Sequence, residues 1–327
     1  MSASFPISRP RRLRRYGWLR DMVAEHHITP SDVILPIFVH DGADTQDIPS
    51  LPGVARLSIK AAVAEAISAA DMGIPAIAVF PVTPPDLKSP AGSEATNPDN
   101  LICRAVAQIK AAVPHIGIIT DVALDPYTTH GHDGIIDDKG YVLNDETLEV
   151  LTAQAVVQAK AGADIIAPSD MMDGRVMMIR NALDEGGFED VSIMSYTAKY
   201  ASAFYGPFRD AVDSKGALKG DKKTYQMDPR NRGEAQLEMS LDVSEGADMV
   251  MVKPGLPYLD IIRDSVDRVN VPVMAYHVSG EYAQLKAAAE NGWLDYDRCI
   301  LEVMTSFKRA GTRAVLTYAA KDICALL

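Results

Sequence analysis

Eight short runs along the chain are predominantly apolar and do not alternate with polar residues: 33–39, 76–80, 117–122, 164–168, 192–196, 249–252, 271–276 and 314–318. They are rich in β-branched residues, and an apolar run without polar alternation is expected of a strand covered on both faces. Longer alanine-rich stretches with helical spacing lie between them, among them 59–72, 101–113, 145–161 and 232–246. Two junctions repeat the same signal: Ala161-Gly162-Ala163-Asp164 and Glu245-Gly246-Ala247-Asp248 each read as helix end, glycine stop and new buried strand. Strands alternating with helices through right-handed crossovers predict a parallel sheet, and eight strands close most simply into a (β/α)8 TIM barrel. A doubly wound open sheet competes less well, because no GxGxxG follows the first run and no P-loop pattern occurs.

Residues 1–30 break this pattern. They hold Arg9-Pro10-Arg11-Arg12-Leu13-Arg14-Arg15, strongly basic in a chain whose formal net charge is −12. The division expected is an N-terminal arm over 1–30 and a catalytic barrel over 31–327. A nucleic-acid arm and a solvated tail are alternatives; an arm wrapping an acidic neighbouring subunit is the reading favoured. The acidic body argues against nucleic acid or an anionic membrane as a partner. No apolar run approaches the ~20 residues that span a bilayer, and no apolar core of an export signal follows the basic segment. Cys103, Cys299 and Cys324 are too few and too scattered for a disulfide framework or a CxxC metal knuckle. The expected location is the cytoplasm.

Catalytic groups of such barrels come from the C-terminal strand ends and the loops after them. Those positions hold Asp121, Ser169, Asp170, Lys199, Lys253, His277, Ser279 and Tyr318. A lysine ending a buried apolar run is costly unless it is used or paired, and Lys199 and Lys253 both do so. If both face one cavity, desolvation and mutual repulsion lower an amine's pKa and free it to attack a carbonyl as a Schiff-base nucleophile. For either lysine alone, a snorkelling or salt-bridged residue is the competing account. The long polar segment 200–229, with Gly206, Gly216 and Gly220, reads as a lid or a solvated loop. Its Arg209, Lys222 and Lys223 are able to clamp a substrate carboxylate. The segment 121–134 concentrates Asp121, Asp125, His130, His132 and Asp133, a set fit for a hard cation, for proton transfer, or for plain solvation. Its lack of thiols disfavours a soft-ligand zinc site.

These segments together resemble the porphobilinogen synthase (5-aminolevulinate dehydratase) family over nearly the whole chain. The most specific parts are Met251-Val252-Lys253-Pro254-Gly255, Ser195-Tyr196-Thr197-Ala198-Lys199-Tyr200, Ala167-Pro168-Ser169-Asp170-Met171-Met172-Asp173-Gly174 and Val278-Ser279-Gly280-Glu281-Tyr282. Tyr205-Gly206-Pro207-Phe208-Arg209 and Tyr225-Gln226-Met227-Asp228-Pro229 add to it. The resemblance implies a barrel assembled through its arm into a homo-octamer, with a hexamer as the alternative. It implies two 5-aminolevulinates bound side by side. Lys253 would hold the one supplying the propionate side as a Schiff base, with Ser279 and Tyr318 on its carboxylate. Lys199 would hold the other, with Arg209 and Lys222 on its carboxylate. Asp121 and Ser169 match contacts to the substrate amine.

Zinc-dependent members of that family carry three cysteines in the segment where this chain has Ala123, Asp125 and Asp133. The chain therefore resembles the aspartate-rich bacterial type, for which no catalytic zinc is expected. Some such members use an allosteric magnesium through a glutamate matching Glu238, with Asp173 and Arg9 also matching; Met177 and Met178 depart from the usual residues there. Magnesium or no metal at all are the two expectations. A class I aldolase-like barrel and a non-enzymatic protein binding anionic polymers through its arm are the rival functions, and neither accounts for paired strand-end lysines.

Overall fold

A computed structural model describes residues 4–213, 218 and 220–327; Gly216 of the expected lid lies outside them. The eight apolar runs become eight parallel strands: β1 (Val33–His40), β2 (Ala76–Val82), β3 (Gly117–Val122), β4 (Ile165–Pro168), β5 (Ser192–Lys199), β6 (Met249–Lys253), β7 (Val273–His277) and β8 (Val315–Thr317). Each pairs with the next, and β8 pairs with β1 through Val33↔Val315 and Ile34↔Leu316, which closes the barrel. Helices connect the strands on the outside. Side chains such as Ile166, Val250 and Val252 are completely buried, each contributing ~1.5–3 kcal/mol by leaving water.

Local chemistry starts and stops the helices as the sequence suggests. Ser58 caps Ile59–Asp71 by accepting from Ala61 N at 3.3 Å, and Asn100 caps Leu101–Ala112 by accepting from Cys103 N at 2.9 Å. Gly162 and Gly246 follow Asn144–Lys160 and Gly233–Ser244 with φ of 106° and 107°, a conformation that a side chain would strain.

Three departures from the sequence pattern bear on function. First, β5 and β6 run on to Lys199 and Lys253, so the polar strand ends belong to the ladder itself. Second, β5 carries an irregularity: the register Ser195↔Val250 becomes Ala198↔Val252 and then Lys199↔Lys253. That one-residue shift sets the two lysines directly opposite each other; without it Lys199 would face Pro254. Third, an unforeseen ribbon, Gln46–Asp47 against Ala55–Ser58, lies between β1 and β2 and joins the sheet beside Phe38–His40. The N-terminal segment has a 3-10 turn (Pro10–Arg14) and a short helix (Gly17–Met22), and from residue 4 to 31 no side chain is buried.

Candidate active site

The C-terminal mouth of the barrel holds a cavity lined by Asp125, Lys199, Arg209, Lys222, Lys253, Ser279 and Tyr318, all of them candidates on sequence grounds. Lys199 and Lys253 end neighbouring strands and are both buried. The Lys253 ammonium position lies 4.7 Å from the Tyr276 ring, 4.8 Å from Tyr196, 5.2 Å from Phe208 and 5.5 Å from Tyr205. Burial first, and then repulsion from Lys199, lower its pKa from 10.5 to about 7, against the pull of Asp121, Asp125 and Asp133. Lys253 is therefore substantially a free amine near neutrality.

Lys199 has a different setting. Its Nζ donates to the Ser169 carbonyl and stands 3.7 Å from Asp133 Oδ1. Lys222 Nζ lies 3.1 Å from both Asp125 Oδ2 and Asp133 Oδ2. Burial favours the neutral form of Asp133, but Lys199 and Lys222 overcome it and hold the carboxyl below the usual range. Asp125 moves upward, because burial and the charge of Asp133 outweigh Lys222. The segment 121–134 is thus a carboxylate platform under two lysines. His132 Nδ1 is 3.1 Å from the Tyr225 hydroxyl, which also accepts from Asp133 N at 3.3 Å, and His130 Nε2 is 3.0 Å from the Pro90 carbonyl.

Asp121, near the end of β3, feels the charge of both lysines and has a buried Oδ1 that makes no hydrogen bond. Burial raises its pKa to about 6, with Lys199, Lys253 and a hydrogen bond from Ser169 opposing. A carboxyl of that kind can hold or release a proton beside either amine. Ser279, at the start of helix Ser279–Glu290, accepts from Phe208 N at 3.0 Å, and the Tyr318 hydroxyl meets that of Tyr276 at 2.9 Å. Arg209 reaches the cavity from a six-residue helix within the segment 200–229, Gly206–Ala211.

Glu238 stands apart from the cavity, on the outer helix Gly233–Ser244. Burial raises its pKa to about 7; Arg175 opposes, while Asp242, Asp173 and Glu234 add to the rise. Arg9 stays within the arm, donating to the Pro6 carbonyl at 3.0 Å and lying over the Phe5 ring.

Sequence reasoning missed Tyr205, Phe208, Gln226 and Tyr276, which line the same cavity. The aromatic residues of β5 and β7 read as ordinary core. Only their convergence on a strand-end lysine distinguishes them.

A cavity with two lysines, flanking carboxylates and several cationic or hydroxyl anchors suits Schiff-base chemistry on acidic carbonyl compounds. A family model described as delta-aminolevulinic acid dehydratase matches residues 7–326. The chain belongs to that family. It is 59% identical over 95% of its length to the delta-aminolevulinic acid dehydratase of Bradyrhizobium diazoefficiens, covering 88% of that protein. The Rhodobacter capsulatus enzyme is 52% identical over 99% of this chain and 97% of its own. In structure, it matches the Toxoplasma gondii ME49 enzyme, solved with the reaction product porphobilinogen, at a TM-score of 0.96 and 50% identity. That match covers 98% of this chain and 91% of the other. The fold is the TIM barrel of this family, and the chain is a hydro-lyase, a porphobilinogen synthase in function.

Proposed function

We propose that this cavity carries out the family's reaction, joining two 5-aminolevulinates into porphobilinogen, with the following division of labour. The observation that supports it is the register pairing of Lys199 and Lys253 on adjacent strands, with the Lys253 pKa lowered to about 7 so that a substantial share of it is free amine at neutrality. The Lys253 amine attacks the ketone of the substrate that supplies the propionate side. The carbinolamine loses one water, leaving a Schiff base held among four aromatic rings. Ser279 and Tyr318 receive that substrate's carboxylate. Lys199 forms the second Schiff base with loss of the second water, and Arg209 and Lys222 receive the other carboxylate.

The carbon next to the second imine loses a proton and, as an enamine, bonds to the first imine carbon, leaving Lys253 attached through a C–N single bond. Loss of a further proton from the carbon just bonded breaks that C–N bond, forms a carbon–carbon double bond and frees Lys253 as an amine. The amino group of the first substrate adds to the second imine carbon, and the resulting aminal collapses with cleavage of its C–N bond to Lys199, leaving the ring C=N and freeing that lysine. Loss of a ring proton gives the aromatic pyrrole, so two waters leave and both lysines are regenerated. Asp121 and Ser169 hold the substrate amine, and Asp121 is poised to move protons at the imine nitrogens. Asp125 and Asp133 orient Lys222 and balance its charge.

A catalytic zinc does not fit this donor set: the segment has Ala123, Asp125 and Asp133 in place of thiols, and both carboxylates face lysines. No step is routed through zinc, and the chain is read as the aspartate-rich type. A hydrated magnesium would be held at Glu238 largely through its own waters, since Arg175 is the strongest charge acting on that carboxyl and Asp242, Asp173 and Glu234 act on it more weakly. The arm is read as the contact of a homo-octamer acting in the cytosol.

Borohydride trapping with 5-aminolevulinate, followed by peptide mapping, tests the assignment. Adducts are expected on Lys253 and Lys199, and Lys253→Ala is expected to lose turnover by several orders of magnitude. Near-normal turnover in folded Lys253→Ala would remove the reading.

A further inference from the structure

The ribbon between β1 and β2 reaches across to the lid. Arg56, on Ala55–Ser58, donates from Nε to the Ala211 carbonyl at 2.8 Å and from Nη2 to the Asp210 carbonyl at 2.6 Å. Ser50, in the turn of the same ribbon, donates to Asp210 Oδ2 at 2.5 Å. These carbonyls end the helix Gly206–Ala211, where a guanidinium satisfies groups that the helix itself leaves open and complements its dipole. A six-residue helix does not hold its shape alone. At its other end the helix is tied by Phe208 N donating to Ser279 Oγ and by the Phe208 ring packed at 5.4 Å on Phe80 and 5.6 Å on Phe38. The same helix presents Arg209 to the cavity.

We infer that Arg56 and Ser50 form a clamp that sets the lid helix, and with it Arg209, at the height where Arg209 meets a substrate carboxylate. Arg56 is a positioning residue: it donates to the Asp210 and Ala211 carbonyls and is not itself part of the cavity lining. The inference rests on the reading of Arg209 as a carboxylate anchor. Loss of the clamp lets the C-terminal end of the helix fray, where Arg209 stands, so the anchored state is less populated and substrate binds more weakly, while Phe208 stays tied to Ser279 and packed on Phe38 and Phe80 and keeps the setting of Lys253.

The test compares Arg56→Ala, Arg56→Lys, Ser50→Ala and, as reference, Arg209→Ala, by steady-state kinetics and by hydrogen exchange of the amides from 206 to 212. Arg56→Ala is expected to raise KM for 5-aminolevulinate about tenfold with kcat within about twofold, as loss of charge-assisted bonds made before the chemical step requires. Ser50→Ala should show a smaller rise and Arg56→Lys an intermediate one, with exchange accelerated in the lid and unchanged in the barrel strands. A raised KM in Arg209→Ala together with unchanged KM in folded Arg56→Ala and Ser50→Ala would overturn the clamp. Unchanged KM in Arg209→Ala would instead overturn the anchor reading, and the purpose of the clamp with it, even where exchange still showed a loosened helix.

Discussion

A single amine carries an energetic cost that the fold tolerates for its chemistry. Lys253 has a pKa of about 7 in the folded chain and 10.5 as a free side chain. Below about pH 7 both states bind the proton, and the penalty for a buried ammonium is present in full. Between about 7 and 10.5 the unfolded chain binds more protons than the folded one, so this contribution makes the fold more stable as pH rises. Lys253→Met is therefore expected to raise the melting temperature at about pH 7, by a contribution on the order of a few kcal/mol, and to lose most of that advantage near about pH 10. Melting curves at the two pH values check this; a variant less stable than the parent at both would mean the ammonium is compensated by contacts other than those described. The same residue is legible in the sequence alone, because a lysine closing the run 249–252 is hard to account for as core. Its neighbours are not. Tyr196, Phe208 and Tyr276 look in sequence like any apolar filling, and what makes them part of the site is a distance of about 5 Å to one nitrogen.

Individual elements place these groups where the chemistry needs them. The shift in β5 turns two strand-end lysines into register partners, and the lid helix brings Phe208 to 5.2 Å from Lys253. Neither is legible in the sequence. A strand irregularity leaves no mark in an apolar run, and the lid segment reads equally well as solvated loop because its short helix depends on contacts with the ribbon and with Ser279. The barrel itself is legible, since eight predominantly apolar runs separated by helical spacing leave little else to build. The lid's contribution to the amine is measurable. Burial is the largest cause of the low Lys253 pKa, and the Phe208 ring is part of that burial. Phe208→Ala should admit water and move the pH midpoint of borohydride trapping at Lys253 upward by roughly half a unit to one unit. The direction follows from the sign: less desolvation favours the ammonium. A midpoint that stays in place in the folded variant would assign the low pKa to Lys199 and the remaining rings.

At the scale of the molecule, the first thirty residues stand out from the rest. Phe5 and Ile7 are each 78% exposed, Trp18 64% and Met22 68%, beside the basic run from Arg9 to Arg15. A segment with this much uncovered apolar surface gains by removing it from water, and an otherwise acidic chain offers its own copies as an electrostatically matched partner. Apolar burial and charge attraction act together here, so the contact should survive moderate salt that would dissolve a purely ionic one. Removing residues 1–30 is then expected to convert the proposed assembly of eight subunits into a smaller species, with the barrel's circular dichroism unchanged, because from residue 4 to 31 no side chain is buried in the chain's own core. Light scattering coupled to gel filtration reads the mass directly. A full-length protein that runs as a monomer would refute the assembly reading; an arm-deleted protein with the full-length mass would move the contact to the barrel surface.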